Sequence, residues 1–202
     1  AWIKYACMNH PELIPNISTT KSPIGITSSL IKTYFKDMMN IEDEIISVVV
    51  APCTAKKWEI VGTDTDYVIT TRELAYMIKE IGVGIDSLKE VDMDLLLGHG
   101  SKSGLLFGRS GGVMEAALSY AHYLLTGKKA QEGQFRLNIE GPITEASYKM
   151  GDSIIDVAVI YGLKNLEKIL PQKEKYDFIE VMNCRGGCIG GGGQPLGTRQ
   201  DI

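Results

Sequence analysis

The segment that most constrains this chain lies near its end. A run rich in β-branched and aromatic side chains, Phe178-Ile179-Glu180-Val181-Met182, empties into Asn183-Cys184-Arg185-Gly186-Gly187-Cys188-Ile189, and six glycines fall between Gly186 and Gly193. Glycine alone tolerates positive φ and close backbone approach, so this run needs a backbone that bends tightly around something bulky. Glycine is also the one compositional excess, 22 of 202 residues, about 11% against a usual ~7%.

Upstream, short apolar runs alternate with segments of helical period. Residues 1–9 read as the tail of a helix that stops at His10-Pro11, and 16–23 as a polar loop. In 24–39, Ile26, Leu30, Ile31 and Tyr34 recur at helical spacing. Strands are expected at 45–50, 67–70, 134–139, 154–161 and 177–182, with helices at 71–81, 113–125 and 163–170. Thr70 with Glu73 offers a capping box for the first of these helices, and Gly127 a stop for the second. Residues 98–112 form a glycine- and serine-rich loop. Alternating strands and helices predict an α/β fold with a mainly parallel sheet flanked by helices, whose ligands gather where strands end in loops.

With 44% hydrophobic and 23% charged residues, the chain has ordinary globular composition, and disorder is excluded. No apolar run approaches the ~18 residues of a membrane span. A formal net charge of −4 is not the footprint of a nucleic-acid binder. Four cysteines in 202 residues are too sparse for a secreted disulfide scaffold and point to a reduced, cytoplasmic compartment. The opening Ala1-Trp2-Ile3-Lys4-Tyr5 has no initiator Met and no signal-peptide pattern, and reads as a chain cut from something longer.

Cys184 and Cys188, wrapped in glycine at a strand end, fit an iron–sulfur cluster, whose usual ligands are thiolates with backbone N–H groups bonded to the sulfurs. The competing readings are a phosphate cradle, which no Gly-Lys-Ser/Thr supports, and an inert loop. Cys53, in Pro52-Cys53-Thr54-Ala55-Lys56-Lys57-Trp58-Glu59, also follows a strand, and Lys56 places a cation near it. Lone cysteines are often small buried hydrophobes, and lysines are usually solvated. Cys7 reads as a packed core thiol rather than a fourth ligand, which leaves the fourth ligand outside this chain. Met38, Met39 and the other Tyr and Met positions of helices read as core. His10 and His122 read as satisfied or exposed, and Lys128 and Lys129 as a solvated helix end.

These residues resemble the iron-only (FeFe) hydrogenase large subunit, specifically the C-terminal part of its catalytic domain. The Cys53 segment resembles the family pattern Met-Pro-Cys-x-x-Lys-x-x-Glu. Residues 180–195 resemble Glu-x-Met-x-Cys-x-x-Gly-Cys-x-x-Gly-Gly-Gly-Gln-Pro, the more specific of the two. Thr70-Thr71-Arg72-Glu73-Leu74 and the stretch from Phe107-Gly108 to Ala117-Leu118 also look like family segments, so the similarity covers nearly the whole chain. The family's first cysteine motif would end at Ala1-Trp2, making residues 1–202 a partial domain.

The resemblance implies a 4Fe–4S cubane held by Cys53, Cys184 and Cys188, with Cys188 bridging to a diiron subsite that carries CO, CN and a bridging dithiolate (the H-cluster). Lys56 would donate to a cyanide, Met182 would pack against the subsite, and Ser18 would align with a proton-path serine, its bland alternative being a turn hydroxyl. The implied activity is reversible reduction of protons to dihydrogen, with ferredoxin or another electron carrier and with maturation proteins that supply the subsite. Without the upstream cysteine the fragment is expected to be inactive alone. Ala51 in place of the usual methionine, His99, Arg109, Arg185 and a short loop after Trp58 depart from the pattern. These changes argue against fast turnover; Ala51 would suit a relative that senses hydrogen, and the bland alternative for His99 is a surface histidine.

Overall fold

A computed structural model describes residues 1–195. In chain order the helices are α1 (Trp2–Asn9), α2 (Pro23–Leu30), α3 (Lys36–Met38), α4 (Ala55–Glu59), α5 (Thr71–Glu80), α6 (Lys102–Leu106), α7 (Gly112–Thr126) and α8 (Leu163–Ile169). The strands are β1 (Val48–Ala51), β2 (Tyr67–Thr70), β3 (Ile143–Met150), β4 (Ser153–Tyr161) and β5 (Phe178–Met182). The chain divides into two compact units, the first from Ala1–Ile14 and Gly100–Gly191, the second from Pro15–His99 and the segment that begins at Gly192.

In the first unit β4 is the central strand, paired antiparallel with β3 and parallel with β5. Its run Val157–Val159 and Ile160 is buried on both faces, as a covered strand requires. Val157 and Val159 pack with Met114 and Leu118 of α7 and with Phe135, while Ile160 packs with Leu166 and Ile169 of α8. Helices therefore cover opposite faces of the sheet, and each fully buried aliphatic or aromatic side chain contributes about 1.5–3 kcal/mol. Helix α7 ends at Gly127, whose φ of 69° closes it in the left-handed region.

The second unit holds the parallel pair β1–β2. Helix α5 opens with the expected capping box, Thr70 accepting from the Glu73 N–H while the Glu73 carboxylate accepts from the Thr70 N–H. Asp66 fixes the entry to β1 by accepting from the Ser47 N–H at 2.6 Å and from Lys32 at 2.7 Å. Among the described residues no helix is long and apolar enough to cross a membrane.

Several expectations are corrected. Residues 134–139 form no strand; Phe135 and Leu137 point into the core, but their backbone is held by turn hydrogen bonds from Gln134 to Gln131 and from Arg136 to Gly133. The strand lies instead at β3, antiparallel to β4. The helix expected at 24–39 passes through a π-helical stretch, Ile31–Phe35, which displaces the apolar stripe. The face of α2 that is buried carries Gly25 and Ser28, with Ser28 accepting from the Thr65 hydroxyl at 2.8 Å, while Ile26, Leu30 and Tyr34 stay exposed. Met38 and Met39 are exposed at the end of that helix rather than core. Cys7 is exposed on α1 rather than packed.

Candidate functional site

The residues singled out from the sequence fall into one group in each unit. In the first, β5 delivers Met182, half-buried, whose carbonyl accepts from the Gly162 N–H at 2.8 Å. Cys184 and Cys188 follow on one loop, both half-buried, and none of the four cysteines is disulfide-bonded. Two turns shape the loop: the Gly187 N–H donates to the Cys184 carbonyl at 3.1 Å, and the Gly191 N–H to the Cys188 carbonyl at 2.9 Å.

Residues 108–110 form a backbone wall against this loop. The Ser110 N–H donates to the Gly186 carbonyl and the Ile189 N–H to the Gly108 carbonyl, each at 3.1 Å, and Arg109 and Gly187 form an antiparallel bridge. Gly187 has φ 87° and ψ −154°, a region that is essentially glycine-only. A Cβ there would stand 2.6 Å from the Ser110 nitrogen and 2.7 Å from the Gly108 oxygen. Here the glycine is required both by conformation and by close approach. Arg109 is ion-paired with Glu115, and Arg185 is exposed. In β5, burial pushes the Glu180 carboxyl above the usual carboxylate range, against the N–H groups of Met114 and Gly111 and the charge of Arg109.

In the second unit, β1 ends at Ala51, 2% exposed, and delivers Cys53, half-buried. The glycine run docks beside it: the Gly193 N–H donates to the Pro52 carbonyl at 2.6 Å, and the Arg72 N–H to the Gly193 carbonyl at 3.0 Å. A Cβ on Gly193 would meet the Pro52 oxygen at 2.8 Å. Lys56, in the first turn of α4, is ion-paired with Glu59. Burial pushes the Glu59 carboxyl up, but the Lys56 ammonium and the Ser22 hydroxyl outweigh it and hold it below its ordinary value. Ser18 lies in an exposed loop where its hydroxyl accepts from the Thr20 N–H at 3.2 Å, a local turn-type role.

His99 is exposed. His122 packs its ring against Phe135 at 5.5 Å, and His10 sits between Glu12 and Glu167. Among the described residues no group of three or more His, Cys, Asp or Glu side chains is placed to hold a metal ion. The donor chemistry nevertheless fits an iron–sulfur cluster, because two thiols share one glycine-shaped loop and each cysteine segment leaves the carboxyl end of a strand in a parallel pair. Spacing alone did not reveal that the 108–110 wall meets the cysteine loop, since the two lie more than seventy residues apart.

A family model described as iron only hydrogenase large subunit, C-terminal domain, matches residues 1–192. The periplasmic Fe hydrogenase large subunit of Nitratidesulfovibrio vulgaris is 40% identical over 96% of this chain and 50% of its own length. Iron hydrogenase 1 of Clostridium pasteurianum is 37% identical over 100% of this chain and 38% of its own. A cytosolic Fe-S cluster assembly factor of Danio rerio is 32% identical over 96% and 52%. Among solved structures, an apo FeFe-hydrogenase of Chlamydomonas reinhardtii superposes with a TM-score of 0.80 at 32% identity, covering 98% of this chain and 61% of that one. The chain thus spans about half the length, or less, of these relatives.

Proposed function

The chain belongs to the iron-only hydrogenase large-subunit family, in its C-terminal domain, and from that premise we propose that, as part of the full-length protein, it reversibly reduces protons to dihydrogen. In this reading Cys53, Cys184 and Cys188 hold a 4Fe–4S cluster linked to a diiron subsite with CO, CN and a bridging dithiolate, and a fourth ligand comes from outside these 202 residues. The bound group supplies the redox chemistry, and the protein supplies ligation, hydrogen bonds and exclusion of water. The observation that carries the reading is the pair of thiols on one glycine-shaped loop at the end of β5.

Each remaining residue has a task its chemistry suits. An ammonium has three donors; the Lys56 ammonium is paired with Glu59 and retains donors for an anionic cyanide. Met182 offers an apolar, polarisable wall, and the Ser18 hydroxyl both accepts and donates on a proton path. Partners in this reading are ferredoxin or another electron carrier and the maturation proteins that supply the diiron subsite. The sparse cysteines support a reduced, cytoplasmic compartment in this reading.

A second reading, a hydrogen-sensing or non-catalytic iron–sulfur protein, is favoured by Ala51, buried where the family pattern has methionine, and by similarity to an Fe-S cluster assembly factor. Infrared spectroscopy of the full-length protein matured with the diiron cofactor separates the two. Cyanide and carbonyl bands with hydrogen evolution support the enzyme, bands without turnover favour the sensor, and absence of bands removes both diiron readings.

A further inference from the structure

Glu180 is a buried carboxylate to which the proposed chemistry gives no task. It lies mid-strand in β5, 5% exposed, where a carboxylate is costly unless its oxygens are engaged. Both are engaged by one partner element. Oε1 accepts from the Gly111 N–H at 2.7 Å, and Oε2 accepts from the Met114 N–H at 2.8 Å. These N–H groups belong to the cap and first turn of α7, where Gly111, at φ 79°, has no side chain with which to cap the helix. Glu180 satisfies otherwise orphaned donors at the positive end of a 15-residue helix.

The same first turn continues backwards into the wall that meets the cysteine loop. Ser110 and Gly108 are hydrogen-bonded to Gly186 and Ile189, and Arg109 is bridged to Gly187. The loop therefore has two supports. It leaves β5 two residues after Glu180, and it is held in its middle by residues 108–110. Glu180 is the side chain that ties the second support to the first.

We propose that Glu180 is the positioning residue of the 184–188 loop: by pinning the first turn of α7 to the strand from which the loop departs, it presents the two thiols in one arrangement. The proposal rests on the reading of Cys184 and Cys188 as iron ligands for its functional meaning, but not for its test. A plain helix cap would stabilise α7 and leave the thiols unaffected.

The test compares Glu180→Gln, whose amide NH2 opposes one of the two N–H donors, with Leu166→Ala, a lesion in the separate core beneath α8. Amide hydrogen exchange and alkylation of each thiol by iodoacetamide are read on the chain without iron, with exposed Cys7 as internal reference. Relative to Leu166→Ala, Glu180→Gln is expected to speed exchange at Gly111, Met114, Ser110 and Ile189 about tenfold or more. The alkylation rates of Cys184 and Cys188 should change by a similar factor relative to Cys7. Faster exchange confined to Gly111 and Met114, with thiol rates unchanged, would reduce Glu180 to a cap and overturn the proposal.

Should Glu180→Gln fail to fold, exchange in the unmutated chain decides. The four amides should respond to added denaturant as one opening unit, and independent opening of Ser110 and Ile189 overturns the idea. A chain that meets these expectations yet takes up no iron with sulfide would sink the cluster reading and leave the positioning role standing.

Discussion

Replacing Gly187 by alanine should damage the cysteine loop far more than its one added methyl group implies. The residue sits at φ 87°, ψ −154°, and a non-glycine residue held there costs about 1–3 kcal/mol. The new Cβ would lie 2.6–2.7 Å from backbone atoms of Ser110, Arg109 and Gly108, none of which can rotate away. Relief requires the loop to draw back from the wall, breaking the Ser110–Gly186 and Ile189–Gly108 hydrogen bonds at about 0.5–1.5 kcal/mol each. The total is about 2–6 kcal/mol. Urea unfolding, followed by Trp2 fluorescence in a Trp58→Phe background, reads the first unit, because Trp2 packs beside Ile160, Leu166 and Ile169. The control is Gly192→Ala, whose Cβ meets nothing within 4 Å and should change stability by less than about 0.5 kcal/mol. A Gly187→Ala protein as stable as Gly192→Ala would refute the close-approach argument.

The other predictions concern the core, a cap and a histidine. Phe135→Ala removes a side chain 1% exposed that packs edge-on to Tyr148 at 5.3 Å, and should cost about 3–5 kcal/mol in urea unfolding. Thr70→Ala removes the cap of α5 and should cost about 1 kcal/mol. Lys57, then the Thr70 N–H and hydroxyl, hold the Glu73 carboxyl down to about 2. Its stabilising contribution is therefore present above its ordinary value of 4.5 and fades as pH falls toward 2, which helix circular dichroism on acid titration will follow; a Glu73→Gln protein should lack that phase. Glu167, then Glu12, raise the His10 pKa above 6.5. The raised value means that its contribution is fully present below 6.5 and is lost as pH rises through the folded-state value. His10→Gln should flatten stability against pH across neutrality.

Much of the architecture was legible because local chemistry and packing agree. Thr70 with Glu73 marked the start of α5, Gly127 the end of α7, and the β-branched run at 154–161 the strand β4. The misses share a cause, namely that tertiary packing decides what local pattern leaves open. Phe135 and Leu137 alternate like a strand because both enter the core, yet no neighbouring strand pairs with them. β3 was passed over because Thr144, Glu145, Ser147 and Lys149 dilute its apolar signal, although each pairs across to β4. In α2 the buried face is made of Gly25 and Ser28, which hydropathy does not flag.

For the candidate site, the cysteines and glycines named themselves by spacing. The backbone wall at 108–110 and its anchor at Glu180 did not, since both depend on contacts between residues distant in sequence.

The central claim is that three particular thiols carry iron. Iron and sulfide content after anaerobic reconstitution, measured on single Cys→Ser variants at positions 7, 53, 184 and 188, tests it most directly. The account predicts that Cys7→Ser retains the full cluster complement while each of the other three loses it. Undiminished iron in Cys53→Ser or Cys184→Ser, or loss in Cys7→Ser, would contradict it.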